Sequence, residues 1–229
     1  MKTVLLFLVS LFAGFTIISV YTYWHGQQLG NIIKPSNVVK TDFSLKNAPQ
    51  KTLKGNVAST SGTVKWLSRV AAKSVQIHAP HKVQQGESLS TGKNSEAVVT
   101  INNAAAISIL SNTDVNFIQL LPINVVLEQN DGSVTYQNTI QVPISVRSFN
   151  LVTVLTQGVA TIAADKRSKT VIVTILKGVA REGYQDTQSE SNIVTLTAGE
   201  QFVFDDTTRE GTTSEIPGFV SNDSLPFGH

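Results

Sequence analysis

Between Thr3 and Trp24 the chain carries no charged residue, TVLLFLVSLFAGFTIISVYTYW, whereas the roughly 205 residues beyond are polar enough to fold in water. A run of 22 residues, wound as a helix at ~1.5 Å per residue, reaches across a hydrocarbon core ~30 Å thick. Tyr21, Tyr23 and Trp24 close the run where amphipathic rings settle among lipid headgroups, and Lys2 with the α-amino group lies at the other end. Residues 1–24 therefore read as a signal-anchor transmembrane helix with a cytoplasmic N-terminus, although Lys34 and Lys40 compete for that side. A cleaved signal peptide would have a shorter apolar region and small residues at the cut, but Tyr-Thr-Tyr-Trp-His-Gly stands there. A soluble core helix of this length would show a polar face, and this segment shows none.

The net charge of +2 leaves no global basic surface of the kind nucleic-acid binding needs. The charge is unevenly spread. Eight cations from Lys34 to Lys73 oppose Asp42 alone, and nine acids from Glu182 to Asp223 oppose Arg209 alone. This reads as a basic linker near anionic headgroups followed by solvated acidic surface, with a partner-binding acidic tail as the alternative. No cysteine is present, which removes disulfides, thiol nucleophiles, thiolate metal sites and lipobox lipidation.

Residues 25–61 are Gln, Asn, Lys, Ser and Thr with two prolines and no periodic apolar face, and read as a flexible linker. From Gly62 the texture changes to short runs of Val, Ile, Thr and Phe parted by Gly, Asn, Asp and Pro, the pattern of strands and turns. Residues 62–204 are thus expected to form one all-β domain. Asn130-Asp131-Gly132 is expected to turn a tight hairpin between VVLEQ and SVTYQ, because primed turns need residues that tolerate positive φ. Asp165-Lys-Arg-Ser-Lys169 is expected to close a longer one. In Val171–Leu176 both alternating faces are apolar enough to be covered, which points to a β-sandwich or a β-solenoid-like coil rather than a one-sided sheet. Residues 205–229 show no sustained period and read as an acidic, disordered tail.

Several segments, in order, resemble the FecR-type domain. Gly86-Glu-Ser-Leu-Ser-Thr-Gly92 resembles its G-D-x-L-x-T-G turn and is followed by the strand Ala97–Ile101. Leu127–Val134 is similar to the L-x-x-G-x-V element, and Val146–Phe149 to V-x-T-P. Val171–Ala180 and Leu196–Gln201 are similar to V-x-V-x-x-G-x-V and L-x-A-G-E-Q. The family's central G-T-x-F stands here as Gly158-Val-Ala-Thr161, without the aromatic. Only Met1 and Lys2 precede the membrane segment, so an anti-sigma role through a cytoplasmic helical domain is not expected. The resemblance implies a membrane-anchored extracytoplasmic binding or sensing module, bacterial, with no established chemistry. The partners expected are the bilayer, through residues 3–24, and an envelope protein or polymer; nucleic acid is not expected. A structural envelope protein that self-associates through its β domain is the alternative.

No catalytic, cofactor or metal site is expected. His78-Ala-Pro-His81 cannot share a helix face across Pro80. Gly86-Glu-Ser88 lacks the closing glycine of a nucleophile elbow, and Ser88 reads as a turn hydroxyl. Gly92-Lys-Asn-Ser95 places Asn94 where a phosphate loop needs Ser or Thr. Glu87, Glu96 and Glu128 are the carboxylates a glycosidase pair would draw on, and capping and solubility account for them more simply.

Overall fold

The computed structural model describes residues 52–101, 105–139 and 142–219, so the anchor assigned to residues 1–24 and most of the linker lie outside the described residues. Among the described residues there are strands and no helix, none long and apolar enough to cross a membrane. The first strands are β1 (Gly55–Ser61), β2 (Val64–Leu67), β3 (Val75–Gln76), β4 (His81–Val83), β5 (Glu87–Thr91), β6 (Glu96–Ile101), β7 (Ala105–Ile109) and β8 (Asp114–Leu121). They are followed by β9 (Asn124–Asn138), β10 (Ile144–Ser148), β11 (Leu151–Asp165), β12 (Thr170–Gln185), β13 (Ser191–Thr197), β14 (Glu200–Asp205) and β15 (Glu210–Glu215).

Hydrogen bonding joins all fifteen strands into one open sheet, and three long strands fold it back on itself. β9 pairs with β8 and, in parallel, with β10 through its first half, then with β7 and β11 through its second. β11 leaves β10 for β9 at midlength, and β12 leaves β14 for β13. The result is two rows. One runs β3-β2-β5-β8-β9-β10-β11-β12-β13, and the other β4-β1-β6-β7-β9-β11-β12-β14-β15.

Alternating residues of both rows feed a single core, in which Tyr136, Phe117, Phe202 and Phe204 are the largest fully buried side chains. Each such side chain contributes ~1.5–3 kcal/mol by leaving water. The rows are covered on one face only. In β12, Val171, Val173 and Ile175 are buried, Ile172 and Thr174 are half-buried and Leu176 is exposed, so the expected double coverage is corrected.

Four further expectations change. Asn130-Asp131-Gly132 does not turn a hairpin: β9 continues through it with a bulge, Asp131 opposing Asp114 while Gln129 opposes Val115. Positive-φ residues serve bulges as well as primed turns, and Gly132, at φ +86°, passes so close to Thr113 that a Cβ would lie 2.6 Å from its Cα. The buried Gln129 amide pins the bend, donating to Gly132 O at 2.8 Å and Ile162 O at 2.9 Å while accepting from Tyr136 Oη at 3.1 Å. The linker is shorter than residues 25–61, because Gly55–Ser61 lies in the sheet between β4 and β6. The tail expected at 205–229 is ordered in part, with β15 pairing along the whole of β14. Finally, Glu87–Thr91 is strand rather than turn, so Ser88 is a strand residue. The Asp165–Lys169 hairpin is present, with Asp165 opposite Thr170 and its carboxylate accepting from the Arg167 backbone N–H at 2.8 Å.

Candidate functional site

The sharpest backbone feature of the domain lies where β11 and β12 pass together from one row to the other. Leu155 opposes Ala180 and Gln157 opposes Val179, leaving Thr156 as an extra residue, and Gly158 then faces Gly178. The two backbones approach more closely than side chains permit. A Cβ on Gly158, at φ +129°, would lie 2.0 Å from Lys177 O, and one on Gly178, at φ +83°, would lie 2.2 Å from Gln157 O. Two facing glycines let a paired hairpin bend as a unit where any other residue would force it apart.

Asn138, at the end of β9 and opposite Gly158, locks the bend. Its buried Nδ2 donates to Val142 O at 2.7 Å, Leu155 O at 3.1 Å and Thr156 O at 2.7 Å. On the outer side of the bend a cleft of about 640 Å³ opens, lined by Gln137, Thr139, Val154, Thr156, Gln157, Val159, Lys177, Val179 and Arg181 around the glycine pair. With Asn138, its lining contains two cations, five amide or hydroxyl side chains, three valines and no carboxylate. Such a volume suits a small ligand or a short polymer segment, and the charge favours an anionic one.

No protein-family model matches the chain, and no curated protein matches it. Two crystal structures, at 2.50 and 1.65 Å resolution, of a "putative anti-sigma factor from Parabacteroides distasonis ATCC 8503" are similar to it, each with a TM-score of 0.50, at 14% and 13% identity. The likeness covers 56% of this chain and 59% of theirs. The chain shares its fold with that bacterial protein. It spans about three fifths of the Parabacteroides protein's length, and at this identity the comparison speaks to architecture alone.

Against that architecture, the residues singled out in the sequence scatter. Glu87 is buried on β5, accepting from Trp66 Nε1 at 2.9 Å and Gln84 N at 2.8 Å. Glu128 faces the other side of the same row, accepting from Asn116 Nδ2 at 3.1 Å and pairing with Arg147 at 3.0 Å. Glu96 is exposed in the second row. The three carboxylates do not converge. His78 is exposed, whereas His81 on β4 packs edge-on against Trp66 with ring centroids 4.7 Å apart. Ser95 Oγ accepts the Thr63 N–H at 2.8 Å, a structural role at the β5–β6 turn. Among the described residues no group of three or more His, Asp or Glu side chains gathers as a metal cage. The residues that build the cleft carry no local sequence signal beyond the two glycines, which lie on different strands.

Glu182, expected among the solvated acids, is instead fully buried on β12. Its carboxyl is pushed up to about 8 by desolvation, against the lowering effect of a 2.6 Å hydrogen bond donated by Thr153 Oγ1. Below about pH 8 it is a neutral acid of the core rather than part of the cleft.

Proposed function

We propose that the chain is an extracytoplasmic FecR-like binding or signal-sensing module without catalytic activity, held at the outer face of a cell membrane by residues 3–24 and taking its ligand in the cleft at the β11–β12 bend. The observation that carries this reading is the fold shared with the Parabacteroides protein, which is described as a "putative anti-sigma factor". The ordered motif resemblance from Gly86 to Gln201, the apolar run of residues 3–24 and the cationic, acid-free cleft support it. The ligand expected is an anionic envelope protein segment or polymer.

The test is a photo-crosslinking side chain placed at Gln157, inside the cleft, in the full chain within native membranes, with the same group at Thr212 on β15 as control. A covalent adduct at Gln157 that disappears on Arg181→Glu supports the reading. Equal yields at both positions, or none at either, refute it.

Self-association as a structural envelope protein is the second reading. It is favoured by the edges of the sheet: among the described residues β3, β4, β13 and β15 each pair with one neighbour only, leaving four strands with open backbone groups. Size analysis of the detergent-solubilised full chain decides it, since a monomer at high concentration would remove this reading.

A further inference from the structure

The place where the chain enters the sheet has a surface unlike the rest of the domain. Leu53 N donates to Leu120 O at 2.8 Å, which fixes the entry beside the β8–β9 turn. Leu120 N is in turn bonded to Gln85 Oε1 at 3.3 Å, and Gly86 N to Phe117 O at 2.7 Å. Arg69 Cβ lies 3.5 Å from where a Cβ on Gly86 would sit, so the β2–β3 loop meets the same end. That loop, Ser68–Ser74, turns through a 3.0 Å bond from Ala71 N to Ser68 O.

What this end presents is apolar tips between cations. Val70 is 88% exposed and Ile123, at the β8–β9 turn, is 71% exposed, with Ile118 and Val75 also uncovered nearby. Arg69 and Lys73 bracket the loop tip and Lys54 follows the entry point, all exposed. Across residues 52–54, 66–76, 84–88 and 116–125 the one carboxylate is Glu87, which is buried. Scattered exposed apolar side chains are ordinary, but two neighbouring loop tips of this kind with cations and no exposed acid match what binds the interface of an anionic membrane.

We propose that this loop end docks on the headgroup zone of a bilayer containing anionic lipid, with Val70 and Ile123 entering the interface and Arg69, Lys73 and Lys54 meeting the headgroups. The inference rests on the reading that residues 3–24 anchor the chain. Twenty-seven residues separate Trp24 from Thr52, a length that reaches ~90 Å extended, and they deliver the sheet by its apolar end. A weak second contact with the same bilayer is then intramolecular, and linkage makes it persist where it would not alone.

The chain has no cysteine, so Val70→Cys, Ile123→Cys and, as control, Thr212→Cys each accept one environment-sensitive fluorophore. Full chain is reconstituted into vesicles of phosphatidylcholine, with or without phosphatidylglycerol, carrying lipids with a quencher high on the acyl chain. The expected result is loss of emission at positions 70 and 123 but not 212, greater with phosphatidylglycerol, and abolished by Arg69→Glu with Lys73→Glu. Labels at 70 and 123 that stay as unquenched as the one at 212 overturn the proposal. So does an emission change that lipid quencher leaves untouched and protein dilution reverses, which would assign the surface to a second copy. Flotation of the same vesicles after alkaline wash reads the anchor separately: chain that washes off refutes the anchor, while quenching on adding vesicles to free chain still decides the docking.

Discussion

Thr153 and Glu182 oppose each other across the β11–β12 pair, both side chains turned into the core, with 2.6 Å between Thr153 Oγ1 and Glu182 Oε2. The second carboxyl oxygen, Oε1, has no hydrogen-bond partner among the described residues. A charge placed there would go unpaired in an apolar surround, which is why the acid keeps its proton.

Stability is therefore expected to fall as pH rises. Glu182 titrates at about 8 in the folded chain and in the ordinary carboxylate range when unfolded. Between those values the folded state holds a proton that the unfolded state has lost, so the slope approaches ~1.4 kcal/mol per pH unit against folding and flattens below and above the window. Urea unfolding of the β domain between about pH 5 and pH 9 should show it. Glu182→Gln, which keeps the shape without the ionisation, should make the profile flatter; an unchanged slope would show that Glu182 does not set it.

The glycine pair gives a steric prediction. Gly158→Ala places a methyl group on the Lys177 carbonyl at a backbone angle that side chains avoid, and should cost ~2–4 kcal/mol, the sum of a strained dihedral and a displaced strand. Ala163→Gly, in the same strand beyond the bend and half-buried on the outer face, should cost ~1 kcal/mol or less, mainly through chain entropy. Chemical denaturation midpoints of the two variants check the contrast.

Removing the Asn138 amide should loosen the cleft before it unfolds the domain. Asn138→Ala leaves the carbonyls of Val142, Leu155 and Thr156 without this donor, a loss of about 2–3 kcal/mol by the cost of unmet buried groups. Hydrogen exchange should accelerate first at Leu155–Val159 and Lys177–Val179, with β5 and β6 unaffected.

Ending the chain at Asp205 should destabilise the sheet rather than trim a loose tail. β15 covers the edge of β14, and Gly211 lies so close to the Phe202 ring that a Cβ would be 2.1 Å from Cζ. Its loss should expose Phe202 and an unpaired edge, read as increased binding of a hydrophobic dye and concentration-dependent aggregation.

How far the sequence discloses this arrangement depends on the range of the cause. The strand Ala97–Ile101 and the Asp165–Lys169 hairpin are local matters of alternation and turn chemistry, and both are found where the residues point. Asn130-Asp131-Gly132 misleads because a bulge and a hairpin ask for the same dihedrals, and only the distant Thr113 hydroxyl and Ile162 carbonyl decide between them. β1 and β15 escape notice because GNVASTS has one large inward apolar residue, Val57, and EGTTSE has none. Their partners hold them in place, not their composition. Glu182 looks like surface because the hydroxyl that receives it comes from 29 residues earlier. The cleft is the least visible feature: it is a space left by a bend, made by glycines that meet only after β11 and β12 have paired.

The position of β1 has a mechanical side. It enters the sheet directly after Leu53 and Lys54 and lies between two antiparallel neighbours, six residues of β6 on one flank and three of β4 on the other. Tension arriving along the chain from before Thr52 runs parallel to that strand, so it loads the rungs of both ladders together in shear instead of opening them one at a time. The first strand thus works as a splice in a rope, and a pull from the N-terminal side is spread over a width of sheet before any single hydrogen bond must yield.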